Sequence, residues 1–562
     1  MLDGSGEDAR EADVAIDGDR IVAVEKGVAA GREELDASGR LVTPGFIDVH
    51  THFDGQVTWD PDLRPSTFHG VTTVVMGNCG VGFAPCEPDR RDWLIGLMEG
   101  VEDIPGTALA EGIRWNWETF PEFMDAIEAS PLALDVGVQV PHGALRAYVM
   151  GQRGADLEPA SKQEVAEMGA LVREAVEAGA LGFTTSRTEK HRDKHGNPTP
   201  SFGAHAAELH GIARAMGETG KGVLQLISDF HEFEDEFALV RGMVEASGRP
   251  LSMTIEQDDR HPEIWRKVLD GIEQAADAGL PMRGQVPARA TGVIQGLDVT
   301  LNPFLLHPTY YEVAERPPAE RARAFRDPEF RARILADEVA IDPSTIVGVL
   351  MGRFDKMFRL GDPPNYEPDP SESAAAEAER RGVTPHEVLL DWLAEDEGAA
   401  LLYFPLMNYL DGDLEMVREM LTHPRASFGL SDAGAHCGTV CDGSFPTTML
   451  THWGRDRARG ERLPLPWIVQ KLTRGGAELV GLRDRGLLAA GYRADVNVID
   501  FEKLALHAPV VVRDLPASGR RLLQKASGYT ASIVGGEIAF REGESMGTRG
   551  GRLLRGARPD PC

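Results

Sequence analysis

Cysteine is scarce in this chain. Its 562 residues hold five: Cys79, Cys86, Cys437, Cys441 and Cys562. These are too few and too scattered for a disulfide framework. Cys437 and Cys441 have no second close-spaced pair, which argues against a structural zinc knuckle. Positive charge is also short. Against 89 Asp and Glu stand 58 Lys and Arg, for a net charge of −31. That balance argues against nucleic acid and against anionic membranes as partners. No apolar run is long enough to span a bilayer and no signal peptide is evident, so a cytoplasmic location is expected. The chain has no Gly-x-Ser-x-Gly elbow, no phosphate loop and no dinucleotide fingerprint. Serine-hydrolase and nucleotide chemistry therefore find no support, and a small-molecule substrate is the remaining expectation.

What is present has a clear grammar. A chain of 562 residues exceeds the size at which one core stops growing, so more than one structural unit is expected. The first segment, "EADVAIDGDRIVAVEKG", alternates apolar and polar residues around a "DGD" turn. The far end, "LAAGYRADVNVID" and "GYTASIVGGEIAF", reads the same way. The two termini are expected to build one small β-sandwich, from residues 1–44 and 486–550, with 551–562 as a tail. Between them, helical stretches alternate with short apolar runs. "ASKQEVAEMGALVREAVEAGA" places Met168, Leu171, Val172 and Ala175 on one side and leads into "LGFTTSR". Helix then strand, repeated, predicts a parallel α/β fold, and at this length a (β/α)8 TIM-like barrel over 45–485. Residues 300–395, charged and proline-rich, break the rhythm. They read as an insertion, either a lid over the barrel mouth or a plain surface excursion.

Several stretches can carry chemistry. In "GFIDVHTHFDG", Phe46, Ile47 and Val49 form a short apolar run. Residues two apart on a strand share a face, so His50 and His52 project side by side where the strand ends. Two imidazoles so placed suit one metal ion, although two solvent-facing loop histidines would look the same. In "GVTTVVMGNCGVGFAP", Cys79 lies in a Gly-rich loop just beyond a β-branched strand. A thiolate there suits a borderline metal such as zinc, and an inert turn residue is the plainer alternative. His142 follows another apolar strand and is a candidate for substrate contact. Arg187, His191 and His195 cluster after "LGFTTS", either to meet a substrate carboxylate or as a polar loop. Arg289 is a second candidate, because a guanidinium binds a carboxylate bidentately. Finally, "ASFGLSDAGAH" puts Asp432 after a late strand. A carboxylate facing two histidines from an early strand makes a hydrolytic pair. The metal lowers the pKa of water, and the carboxylate takes its proton and later protonates a leaving nitrogen.

"TPGFIDVHTH" and "LSDAGAH" resemble the first and last barrel signatures of the amidohydrolase superfamily. "GVTTVVMGNCGVGFAP", "HGALRAYVMG", "GALGFTTSR" and "QVPARATG" are similar to internal signatures of its N-acyl-D-amino-acid deacylase (D-aminoacylase) branch. The resemblance runs from Asp3 to about Phe540. It implies a barrel with a terminal β-sandwich and hydrolysis of an amide in an amino-acid-like substrate. It also implies His50 and His52 at the metal centre, Cys79 as a zinc ligand and Asp432 as general acid/base.

The chain departs from that pattern in two places. The branch supplies two further histidine ligands from middle strands. Here the corresponding segments read "GKGVLQLISDFHEF" and "RPLSMTIEQDD", with no histidine at the expected place. His231 and His261 fall several residues late, and Asp229, Glu256 or Asp258 are the oxygen donors nearby. The branch also opens with a strand ahead of "DGSG", whereas here Met1-Leu2 run directly into it. The expectation is therefore one metal ion, Zn2+ or another divalent metal, held by His50, His52, Cys79 and Asp432. The reaction is the deacylation of an N-acyl-D-amino acid or a related blocked amino acid. A urea-like or lactam bond, and a catalytically inactive ligand-binding barrel, are the alternatives. A homo-oligomer is compatible with all of this.

Overall fold

The apolar and β-branched runs picked out above form the centre of the molecule. The computed structural model describes residues 1–343 and 345–561. Eight strands lie side by side in chain order: β1 (Phe46–Asp48), β2 (Val71–Met76), β3 (Asp135–Pro141), β4 (Gly182–Arg187), β5 (Val223–Ser228), β6 (Leu251–Thr254), β7 (Met282–Val286) and β8 (Ala426–Phe428). Each neighbouring pair is parallel. The sheet curls until its edges meet. Just past β1 and β8, Thr51 bridges Ala433. There the His52 amide donates to the Ala433 carbonyl at 2.8 Å and the Asp432 amide to the His50 carbonyl at 3.2 Å. The seam thus closes at the carboxyl ends of the strands, which is the functional face of such barrels.

Helices return the chain between strands: α1 (Arg91–Glu102), α2 (His142–Met150), α3 (Lys162–Ala178), α4 (Ala206–Gly217), α5 (Phe233–Ser247), α6 (Ile264–Asp277) and α7 (Glu415–Thr422). In α3, the expected amphipathic helix, Ser161 and Glu164 form a reciprocal capping box, and Gly179 ends the helix at φ +119°. Its Met168, Val172 and Ala175 are buried, and Leu171 packs half-buried beside them. The strands show no polar-out alternation. All six residues of β2 are buried, as expected where both faces of a parallel sheet are covered.

Both termini contribute to one five-stranded antiparallel sheet. Leu41–Pro44 pairs with Val496–Ile499, followed by Tyr529–Val534, Glu537–Arg541 and Glu544–Ser545. A ribbon of Asp13–Asp17 and Arg20–Glu25 packs beside it, and the Leu2 amide donates to the Val42 carbonyl. Residues 551–558 are packed against the barrel. Val136 bridges Leu553, Leu482 bridges Arg558, and Leu553 and Leu554 are buried.

The insertion lies between β7 and β8. It is wider than the composition shift suggests, because strands Gly292–Gly296 and Leu401–Pro405 close its base and Phe358–Leu360 joins them. It has an apolar core of its own, including Phe304, Phe325, Trp392 and Phe404. Among the described residues, no helix is long and apolar enough to cross a membrane.

Candidate metal centre

Alternation along the first strand places Asp48, His50 and His52 on one face, and all three are buried. His50 Nε2 lies 3.1 Å from Cys79 Sγ and 3.3 Å from Asp432 Oδ1. His52 Nε2 lies 3.4 Å from the same Asp432 oxygen. Donor atoms of His50, His52 and Cys79 lie within 4.8 Å of one another. Donors from His50, His52 and Cys79 therefore cluster at the seam of the barrel, and Asp432 lies against both imidazoles.

The local backbone is bent to achieve this. Cys79 and Asp432 both sit in the left-handed region, at φ +53° and +48°. For residues with a Cβ this conformation costs on the order of 1 kcal/mol or more, and such strain gathers at functional sites. Each is held there by a hydrogen bond. The Cys79 amide donates to Gln225 Oε1 at 3.1 Å, and the Asp432 amide to His50 O. Gly77, at φ +82°, lets the loop pass the Gln139 carbonyl, which a Cβ would meet at 2.1 Å.

Below the donors lies a floor of amides from alternate strands. Gln139 binds Asn78, Gln225 binds the Cys79 amide, and Gln285 Oε1 lies 2.8 Å from His50 Nδ1 while its Nε2 donates to Ser252. Burial pushes the His50 pKa down to about 4 and the Cys79 thiol up to about 12. Burial opposes the charge of His52 too. Glu102, Asp432 and Cys79 outweigh it and raise His52 well above the ordinary histidine value. Burial likewise opposes the Asp432 carboxylate, but His52, His50 and His436 hold it well below the usual range.

The donor set fits a zinc-type ion: two imidazoles, a thiol and a carboxylate. An independent observation agrees. His52 Nδ1, Glu102 Oε1 and Asp432 Oδ1 are buried polar atoms with no hydrogen-bond partner. Such atoms are uncommon in folded proteins; Asp432 Oδ1 faces the two Nε2 atoms, and His52 Nδ1 and Glu102 Oε1 face each other 3.4 Å apart behind the ring.

The other expected site residues fare differently. Arg187 is already paired within the protein. It pairs with Glu236, Nη2 to Oε2 at 2.9 Å, and donates to the Ala204 carbonyl. Arg289 is 1% exposed, bonds Thr448, Asp442 and Ser444, and lies 3.4 Å over the Tyr366 ring. His142 has both ring nitrogens engaged, by Thr185 Oγ1 and Glu208 Oε1. Arg289 and His142 are buried among these partners, and Arg187 is half-buried against Glu236. His191 stays near the centre, within the field of His52, His436 and Asp432. Burial pushes its pKa down to about 3, so it offers a neutral imidazole, with Nδ1 on Ser186 Oγ at 2.9 Å.

β5 and β6 end in Ser228 and Thr254, with no histidine at either end. His231 and His261 instead stack on each other, ring centroids 4.3 Å apart. Glu189, Asp229 and His231 make a second cluster of donor atoms, but Asp229 already accepts from Thr188 Oγ1 and the Glu189 amide. Glu256 accepts from Thr291, and Asp258 from Arg260. Sequence reasoning missed Glu102 and Gln285. A glutamine inside a strand of buried residues was the available signal for Gln285, whereas Glu102 reads as an ordinary helix end.

Comparison with known proteins agrees with this architecture. The sequence profile of the amidohydrolase family matches residues 33–540. The chain is 37% identical to the N-acyl-D-aspartate deacylase of Alcaligenes xylosoxydans xylosoxydans over 572 residues, covering 99% of this chain and 93% of that protein. It is 27% identical to the D-aminoacylase of the same organism over 559 residues, covering 99% and 96%. Among solved structures, a D-aminoacylase aligns with a TM-score of 0.65 at 22% identity, covering 99% and 98%. An N-acyl-D-glutamate deacylase from Bordetella bronchiseptica, complexed with zinc and a phosphonate inhibitor, aligns at 0.63 and 24%, covering 99% and 97%. The barrel, the histidine pair closing its seam and the family match over nearly its whole length lead to one conclusion: this chain belongs to the amidohydrolase family, as a hydrolase resembling the D-aminoacylase branch.

Proposed function

We propose that the protein removes the acyl group from an N-acyl-D-amino acid or a related blocked amino acid. In this reading it uses one zinc ion held by His50, His52, Cys79 and Asp432. The observation that carries it is the cluster of His50, His52 and Cys79 donor atoms, with Asp432 Oδ1 3.3 Å from His50 Nε2 and 3.4 Å from His52 Nε2. Relatives named as D-aminoacylase, N-acyl-D-glutamate deacylase and N-acyl-D-aspartate deacylase support the substrate class. One ion, not two, suits a chain whose β5 and β6 end without histidine.

Bound zinc would supply a Lewis acid and lower the pKa of water at the site. The residues do the rest. Asp432 is ionised at neutral pH, so it can accept a proton from water and return it to the leaving nitrogen. His50 is neutral, with its Nε2 turned toward the centre by Gln285. Burial raises the Cys79 thiol pKa, and its thiolate would be favoured beside a bound cation, the proton passing to solvent.

The test is metal content by elemental analysis, with turnover on paired N-acetyl-D- and N-acetyl-L-amino acids. We expect about one zinc per chain, lost in the His50→Ala/His52→Ala double variant, and hydrolysis of D substrates. Zinc-free protein after expression in zinc-supplemented medium would defeat the metal assignment. Zinc-loaded protein inert on the whole D panel would defeat the substrate assignment.

A further inference from the structure

Glu102 is the last residue of α1 and is 1% exposed. Its Oε1 lies 3.4 Å from His52 Nδ1, and its Oε2 lies 3.7 Å from His436 Nε2. Neither Glu102 Oε1 nor His52 Nδ1 has a hydrogen-bond partner. The C-terminal end of a helix carries negative partial charge of its own, so a carboxylate here is set against the helix end and toward the two imidazoles.

The surrounding chain holds it in place. Asp103, in the left-handed region at φ +48°, accepts from Thr300 Oγ1, the Gly438 amide and Thr439 Oγ1, each at 3.1 Å. The Glu102 carbonyl accepts from the His436 amide. The end of α1 is thereby tied to the loop that follows Asp432.

We infer that Glu102 is the positioning residue for His52: its carboxylate faces Nδ1 so that Nε2 presents its lone pair to the metal. The inference rests on the zinc reading of this centre. An outer carboxylate or carbonyl commonly fixes the orientation of a ligating histidine and raises its donor strength. Here the two ligand histidines have different outer partners. His50 Nδ1 meets the neutral Gln285 amide, and His52 Nδ1 meets a charge. His52 is therefore the stronger donor of the pair.

The experiment compares wild type, Glu102→Gln and Glu102→Ala as full-length apoproteins. It measures zinc affinity by competition with a chromophoric chelator, the absorption spectrum with cobalt in place of zinc, and apoprotein Tm. We expect Glu102→Gln to weaken zinc binding about 10–100-fold and to shift the cobalt spectrum, in an apoprotein that still unfolds cooperatively. Glu102→Ala should weaken binding at least as much. Wild-type affinity and an unchanged spectrum in Glu102→Gln would overturn the inference while leaving the zinc centre standing. So would a loss of affinity with an unchanged cobalt spectrum, which would make Glu102 a packing residue. Failure of wild type itself to bind zinc would overturn the metal reading and the inference together.

Discussion

Asp432 is anchored by its amide to the His50 carbonyl, and its Oδ1 faces both histidines. Asp432→Asn keeps the shape and one oxygen but cannot hold a proton for transfer. We expect kcat to fall by about 10²–10⁴-fold, with an unchanged circular dichroism spectrum and a KM within a few-fold of wild type. Turnover equal to wild type would remove Asp432 from the proton path. At this scale the sequence is partly legible. His50 and His52 are readable because a period of two is a local property of a strand. Cys79 and Asp432 lie 29 and 382 positions from His50, and nothing in their own segments says that they meet it; only the resemblance to a family joins them. Arg187, Arg289 and His142 were readable by residue type, but the partners the structure gives them, Glu236, Asp442 and Glu208, were not.

At the scale of elements, the insertion teaches the most. Its prolines break the sequence rhythm without breaking helices. Pro318, Pro328 and Pro385 each open a helix, Pro318–Arg326, Pro328–Leu335 and Pro385–Leu393. The missing N–H costs nothing at a first turn. Asp327 and Thr384 cap two of them. Glu367 ties this insertion to the barrel. It accepts from Arg457 Nη2 at 2.9 Å and from the Leu414 amide at 2.9 Å, and lies 3.0 Å from His452 Nε2. Burial opposes its charge, but His452 and Arg457 bring its pKa down to about 2. An unfolded glutamate titrates near about 4.3. The group therefore stabilises the fold fully above that value, and the contribution is lost as pH falls toward 2. Thermal melts of Glu367→Gln and wild type between pH 7 and pH 3 should show wild type losing several degrees more than the variant. Parallel acid limbs would remove Glu367 from the acid response.

For the whole molecule, the terminal sheet and the barrel are joined through buried ions at the amino ends of the strands. Asp135 opens β3 and is fully buried. It accepts from Arg485 Nη1 at 2.7 Å, Arg493 Nη2 at 3.1 Å and the Arg552 amide at 2.9 Å. These four residues come from the barrel, the return to the terminal sheet and the final segment. Removing one partner of a buried pair costs about 3–5 kcal/mol. Asp135→Ala should lower unfolding stability by that amount, read from the urea midpoint, while the metal content per chain stays that of wild type. A change below about 1 kcal/mol would mean that Asp484 and Asp495 carry both arginines. The fold class was legible because helix–strand alternation is repeated many times. The packing of residues 551–558 was not, because Leu553 and Leu554 are too short a run to announce a partner 400 residues away.

The seam between β1 and β8 has a consequence in time. Ser431 binds His50 and Asp48 across 381 and 383 positions of chain. At a synthesis rate of about 5–20 residues per second, roughly 20–80 s separate the emergence of the two sides. Throughout that interval the nascent chain carries His50, His52 and Cys79 without the carboxylate that completes them. Contacts this distant in sequence slow folding. The proposed centre can therefore be complete only after both edges of the barrel have been made.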